Sequence, residues 1–191
     1  MNSSSQPARA LALVGMPGAG KSVCAEYLQE HGFFKFRFGS IVVNEVARRG
    51  WVLTPEHERI VREEFRQKEG MDAIARRALP ILQQALTEHA TVIIDGLYSF
   101  SEYKTLRREL GAELIVVAIV SARHIRYARL SSRVERPLTP QEAERRDYQE
   151  IEALEKAGPI ALADYTLLND GTPEQLLAAL DALVQSLGLR S

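Results

Sequence analysis

Apolar positions along this chain keep two rhythms, one of short continuous or alternating runs and one recurring every three to four residues, and the two take turns. ALALVG (10–15) is a short apolar run that ends in glycine, as a buried strand does. Helical spacing follows from Lys21 to Glu30 and is closed by Gly32. FFKFRF (33–38) alternates aromatic and basic side chains from Phe34 onward, the pattern of a half-buried strand. Ile41 to Arg49 predicts a helix stopping at Gly50, and Thr54-Pro55-Glu56 predicts another, with Thr as cap and Pro in the first turn. From Asp72, the residues Ile74, Ala78, Ile81, Leu82, Ala85 and Leu86 share one helical face, interrupted by Pro80, which predicts a kink. TVIID (91–95) and AELIVVAIV (112–120) predict strands, the second apolar enough to be covered on both faces. A basic helix is predicted over 122–132, a proline-broken stretch over 133–141 and a charged helix from Gln141 to Lys156. ADYTLLND (163–170) is the last strand, and a closing helix runs from Pro173 to about Leu187.

Strands that alternate with helices predict an α/β fold, a parallel sheet with helices on both faces. Two regions exceed simple crossovers. Residues 41–89 hold more helix than one connection needs, and 133–157 form an excursion, so both are expected to overhang the carboxyl edge of the sheet, where such folds bind ligands. The reading is one domain over 10–191, preceded by a flexible tail over 1–9.

The 191 residues carry a formal charge of -1, with 46% hydrophobic and 26% charged positions, so any basic site must be local and not a property of the whole surface. A single cysteine, Cys24, excludes an intramolecular disulfide and fits a cytoplasmic protein. LALVG is too short for the core of a signal peptide, and no apolar stretch is long enough to span a membrane.

The chemistry begins at GMPGAGKS, the residues Gly15, Met16, Pro17, Gly18, Ala19, Gly20, Lys21 and Ser22, which match G-x-x-x-x-G-K-[ST] between a strand and a helix. Glycines let the backbone come close to a ligand, successive amides form an anion nest, and the helix adds the positive end of its dipole. Lys21 then addresses the β- and γ-phosphates of ATP, and the Ser22 hydroxyl addresses Mg2+. Asp95, at the carboxyl end of TVIID, is a second candidate metal ligand. It equally suits a base towards an acceptor hydroxyl, and both roles stay open.

Arg126, Arg129 and Arg133 lie at i, i+3 and i+7 on one helical face, just ahead of the proline-broken stretch. Guanidinium groups there suit a lid over a transferring phosphoryl group, with Arg129 and Arg133 the foremost candidates. Arg145 and Arg146 are weaker ones, since Glu144 and Asp147 stand beside them. Arg37, Arg48, Arg49, Arg59, Arg62 and Arg66 are spread along the expected acceptor side, where they either grip an anion or pair with nearby glutamates. Trp51 and Tyr98 stack on a base or simply pack. The four histidines are scattered and show no metal-ligand spacing.

GMPGAGKS, REEFRQKEGMDAIARR (62–77), VIIDGLYSFSEY (92–103) and ALADYTLLNDGTPEQL (161–176) together resemble a mainly archaeal family of adenylate-kinase-related P-loop ATPases, akin to dephospho-CoA kinases and nucleoside monophosphate kinases. The resemblance spans roughly residues 10–180. It implies a three-layer α/β/α kinase core with five parallel strands in the order 2-3-1-4-5, ATP and Mg2+ as cofactors, a helical acceptor region and an arginine-bearing lid. It also places Asn169, Asp170, Gly171 and Thr172 near the adenine. The chain departs from the family pattern at Ser40 and Val43, where Asp and Arg are usual, and at Tyr98, which replaces an Arg. The donor half therefore matches and the acceptor half is altered.

The function expected is transfer of the ATP γ-phosphoryl group to a small nucleotide-like or coenzyme-like acceptor, of nucleoside monophosphate kinase or dephospho-CoA kinase type. The alternatives are a nucleotide-hydrolysing regulatory ATPase and a nucleotide-binding module without turnover. No Asn-Lys-x-Asp guanine signature occurs. No specific nucleic-acid or membrane partner is expected, and the oligomeric state is left open.

Overall fold

The computed structural model describes residues 8–191. Most of the expected tail (1–9) lies outside the described residues; its last residue already belongs to the first strand. The elements run β1 (Arg9–Val14), α1 (Lys21–Glu30), β2 (Phe34–Arg37), α2 (Gly39–Arg48), α3 (Pro55–Glu69), α4 (Ala73–Glu88) and β3 (Thr91–Asp95). They continue with α5 (Phe100–Glu109), β4 (Glu113–Val120), α6 (Arg123–Ser131), α7 (Pro140–Glu152), α8 (Ala157–Ala161), β5 (Tyr165–Leu168) and α9 (Pro173–Ser186).

All five strands are parallel, in the order β2-β3-β1-β4-β5, as expected. Each central strand sends alternate side chains to opposite faces. Ala10, Ala12, Val14, Val92, Ile94, Val116 and Ala118 face the core shared with α2 to α5. Leu11, Leu13, Ile93, Val117 and Ile119 face the second core, with Cys24 and Leu28 of α1 and Leu176 and Leu180 of α9. Covering both faces is what lets these strands read as uninterrupted apolar runs. The result is the three-layer α/β P-loop kinase fold.

Three local points qualify the expectations. α4 is one continuous helix that contains Pro80 at an exposed position, where the missing N–H costs the helix one backbone bond. The charged helix expected from Gln141 to Lys156 stops four residues early, and a separate short helix follows it. α7 ends at Glu152, and the backbone turns through Glu155 (φ 55°) before α8. α5 had no strong apolar period and shows itself in sequence only through its capping box, in which the Ser99 hydroxyl accepts from the Glu102 amide and Glu102 returns the bond. Thr54, by contrast, caps α3 as expected. No helix among the described residues is long and apolar enough to cross a membrane.

Candidate functional site

The turn from β1 into α1 shows why these residues are small. Gly15 has φ 147°, and a Cβ there would stand 2.3 Å from the Ile119 carbonyl of the neighbouring strand. Gly20 has φ 107° and faces the Asn169 amide at 2.4 Å from a would-be Cβ, so a side chain at either position would push the loop off the sheet. Three of the loop's carbonyls accept from side chains. Lys21 Nζ donates to Met16 (3.2 Å), Arg126 Nη1 to Pro17 (3.0 Å) and Asn169 Nδ2 to Ala19 (2.8 Å). Turning the carbonyls outward turns amides inward. Those of Gly18, Gly20, Lys21 and Ser22 donate to no group among the described residues, which is the arrangement of an anion nest at a helix N-terminus.

The nest opens into a cleft of about 550 Å3 at the carboxyl edge of the sheet. Lys21, Ser22, Asp95, Arg129 and Arg133 all line it, so the structure brings together the residues expected to act on a phosphoryl group. Ser22 stands at the start of α1 and Asp95 at the end of β3, in register with Leu13 on one side and Arg37 on the other. Their two oxygen donors suit a hard cation that keeps water and phosphate oxygens as its remaining ligands. Arg129 is half-buried and donates to Ser121 Oγ (3.3 Å), Asn169 Oδ1 (3.3 Å) and the Gly171 carbonyl (3.4 Å); Arg133 is exposed at the cleft mouth. Asn169 is buried and its side chain is committed to the loop and to Arg129, so in this structure it braces the nest, with Gly171 exposed beside it.

Arg126, the first of the arginine row, is buried instead. Its guanidinium forms a bidentate pair with Asp147 (3.0 and 2.6 Å) while reaching Pro17. The phosphate loop, α6 and the base of the lid region are thereby tied at one point. On the acceptor side, Arg59 is held by Glu56 and Glu63 on its own helix. Arg66, on α3, has its Nε and Nη2 buried without a hydrogen-bond partner among the described residues, and burial lowers its pKa against the opposing pull of Glu102. Trp51 lies on the surface under Arg49, 5.0 Å from the ring centroid.

Three residues that sequence reasoning passed over, Lys35, Glu150 and Lys156, join Arg37, Tyr98 and Arg146 in completing the cleft. Lys156 is 2% exposed and pairs with Glu150, and its ammonium sits 4.8 Å from the Tyr98 ring centroid. Glu150 also accepts from Arg146 Nε (3.2 Å). Lys35 and Arg37, on the same face of β2, line the cleft with no carboxylate partner among the described residues. No period or motif marks Lys156; it enters the cleft because the chain breaks between α7 and α8. In all, the lining holds seven cationic side chains and three carboxylates, Glu26, Asp95 and Glu150. In a chain of net charge -1 this is a strongly focused positive field.

That crowding shows in the titration of Lys21. Burial, then the neighbouring Lys156, lowers its pKa to about 7, against the opposing pull of Glu150 and Asp95. Burial lowers Lys156 as well, with Glu150 opposing. The Tyr98 hydroxyl is raised, first by burial and then by Asp95.

Comparison with known proteins gives the family and the fold. Residues 11–153 match the AAA domain family. The chain is 34% identical over 178 residues to a UPF0200 protein of Thermococcus gammatolerans, covering 92% of this chain and 93% of that one. It is 34% identical over 171 residues to a UPF0200/UPF0201 protein of Archaeoglobus fulgidus, of which it spans about half (53%). Among solved structures, a Thermus thermophilus protein superposes with a TM-score of 0.68 at 19% identity, covering 95% of this chain and 99% of that one. Shikimate kinase from Bacteroides thetaiotaomicron superposes at 0.59 with 15% identity, covering 96% and 100%. These structural likenesses speak to the fold.

Proposed function

From a chain that belongs to the AAA domain family and, with its archaeal relatives, to the UPF0200 proteins, we infer an ATP-dependent phosphotransferase acting on a small acceptor of nucleotide or coenzyme-precursor type. One observation carries the reading. Lys21, Arg126 and Asn169 hold three loop carbonyls, and the four unbonded amides and the Lys21 ammonium belong to residues lining the cleft that also contains Asp95. A polyphosphate is the ligand that such a nest fits.

In this reading the amides of Gly18, Gly20, Lys21 and Ser22 hold the β-phosphate and its neighbours. The Lys21 ammonium bridges towards the γ-phosphate. Arg129 and Arg133 stabilise charge that spreads over the transferring oxygens. Ser22 and Asp95 would hold Mg2+, which supplies charge neutralisation between the phosphates when bound. The adenine would rest near the exposed backbone of Asp170 to Thr172, with Asn169 fixing the distance between that turn and the loop. Kinases of nucleoside monophosphates or of dephospho-CoA are the types this reading proposes. That the shikimate kinase sharing the fold is a small-molecule kinase supports it.

The test is ADP formation from Mg-ATP across a panel of nucleoside monophosphates, nucleosides and dephospho-CoA. ADP that appears with one acceptor and not without it is the expected result, and Lys21→Met should abolish it. ADP formed at one rate whatever is added would make the protein a hydrolase. Turnover that survives Lys21→Met would remove the donor site from this cleft.

A further inference from the structure

The cleft is more positive than its nucleotide requires. Its ionisable lining carries a formal excess of four positive charges, whereas Mg-ATP brings a net charge of about -2. About two positive charges are left, and their positions are informative. Lys35 and Arg37 have no carboxylate partner and stand at the end of β2, in register with the Ile93–Asp95 end of β3. In the same lining, Lys156 is buried against the Tyr98 ring, and Glu150 holds both it and Arg146. None of the four bonds the phosphate loop.

We propose that Arg37 and Lys35, with Lys156 and Arg146, form a second anion site that takes the phosphomonoester of the acceptor. This rests on the donor-site reading above and goes beyond it by assigning the acceptor class. A phosphomonoester carries about -1.5 to -2 at neutral pH, which matches the remaining charge, whereas a lone carboxylate brings only -1, about half of it. Lys156, whose ammonium lies over the Tyr98 ring, brings a cation to the cleft from a different element than β2. Glu150 acts as a positioning residue: it keeps two cations side by side that would otherwise repel.

The reaction then needs no base. An ionised phosphate oxygen of the acceptor forms a new bond to the γ-phosphorus, the bond from that phosphorus to the bridging oxygen breaks, and the electron pair leaves with ADP. No proton is removed from the nucleophile, so Asp95 is left to the metal. The products are ADP and an acceptor diphosphate.

The experiment saturates the protein with magnesium and a non-hydrolysable β,γ-imido analogue of ATP, then titrates inorganic phosphate and, separately, acetate by calorimetry. The analogue occupies the phosphate loop, so phosphate can bind only at the second site. The expected result is saturable phosphate binding, no acetate binding, and a loss of about tenfold or more in phosphate affinity in both Arg37→Ala and Lys156→Met. Arg37 is exposed, so its variant keeps the assay valid if the buried Lys156 variant fails to fold. An analogue that binds normally with no phosphate binding, with acetate binding equally well, or with phosphate affinity unchanged in Arg37→Ala, overturns this inference alone. An analogue that does not bind overturns the donor reading first.

Discussion

Lys21 should take up a proton when nucleotide binds. Without a ligand its ammonium is buried beside Lys156 and its pKa is held at about 7. A polyphosphate within reach of the same nitrogen stabilises the charged form and restores the pKa towards its ordinary value of 10.5. At pH 8, about one free molecule in ten carries the proton, while the bound form is fully charged, so binding absorbs about 0.9 proton per nucleotide. At that pH the nucleotide phosphates are themselves ionised and contribute little. The assay is calorimetry of Mg-ATP binding at pH 8 in several buffers of different ionisation enthalpy, where the slope of apparent enthalpy gives the proton count. Apparent affinity should also fall by up to about tenfold per pH unit above 7.5. A slope near zero in a protein that binds Mg-ATP well would refute the argument, because Lys21 would then be either charged already or out of reach of the phosphates.

The same shift has a stability consequence: the unfolded chain keeps the Lys21 proton that the folded chain loses between pH 7 and 10.5, so stability should rise with pH across that window. Lys21→Met should flatten this slope and raise stability near neutrality by on the order of 1–3 kcal/mol while abolishing turnover, as read by thermal melts and ADP assays. Asp147→Ala leaves the buried Arg126 guanidinium without its partner and should lower urea stability by about 3 kcal/mol, with Arg126→Met/Asp147→Leu recovering part of it; a loss under about 1 kcal/mol would mean that the pair ties nothing. Asn169→Ala orphans the Ala19 carbonyl and should cost about 1–2 kcal/mol of stability together with a drop in Mg-ATP affinity. Unchanged nucleotide affinity would show that the loop does not need the brace.

What the sequence made legible follows the physics of each element. The strands were readable because both faces of the sheet are covered, which forces unbroken apolar runs such as LIVVAI in β4. The phosphate loop was readable because its glycines answer a local backbone demand at Gly15 and Gly20. α5 was obscured because it carries a weak apolar stripe and only its Ser99–Glu102 cap announces it. The acceptor side was the least legible. Lys156, Glu150 and Arg37 come from α7 onwards and from β2, and their meeting depends on tertiary placement that no spacing encodes. The arginine row illustrates the same limit: the spacing put Arg126, Arg129 and Arg133 on one face, but Asp147 captures Arg126 as a structural tie and leaves the other two lining the cleft.

Amide chemical shifts test the nest itself. In 15N-labelled protein, Mg-ATP should move the amide resonances of Gly18, Gly20, Lys21 and Ser22 more than any others in the sheet core, and adenosine should leave these four in place. Shifts of those amides that are absent with Mg-ATP, or equal with adenosine, would contradict the claim that this loop holds a phosphate chain.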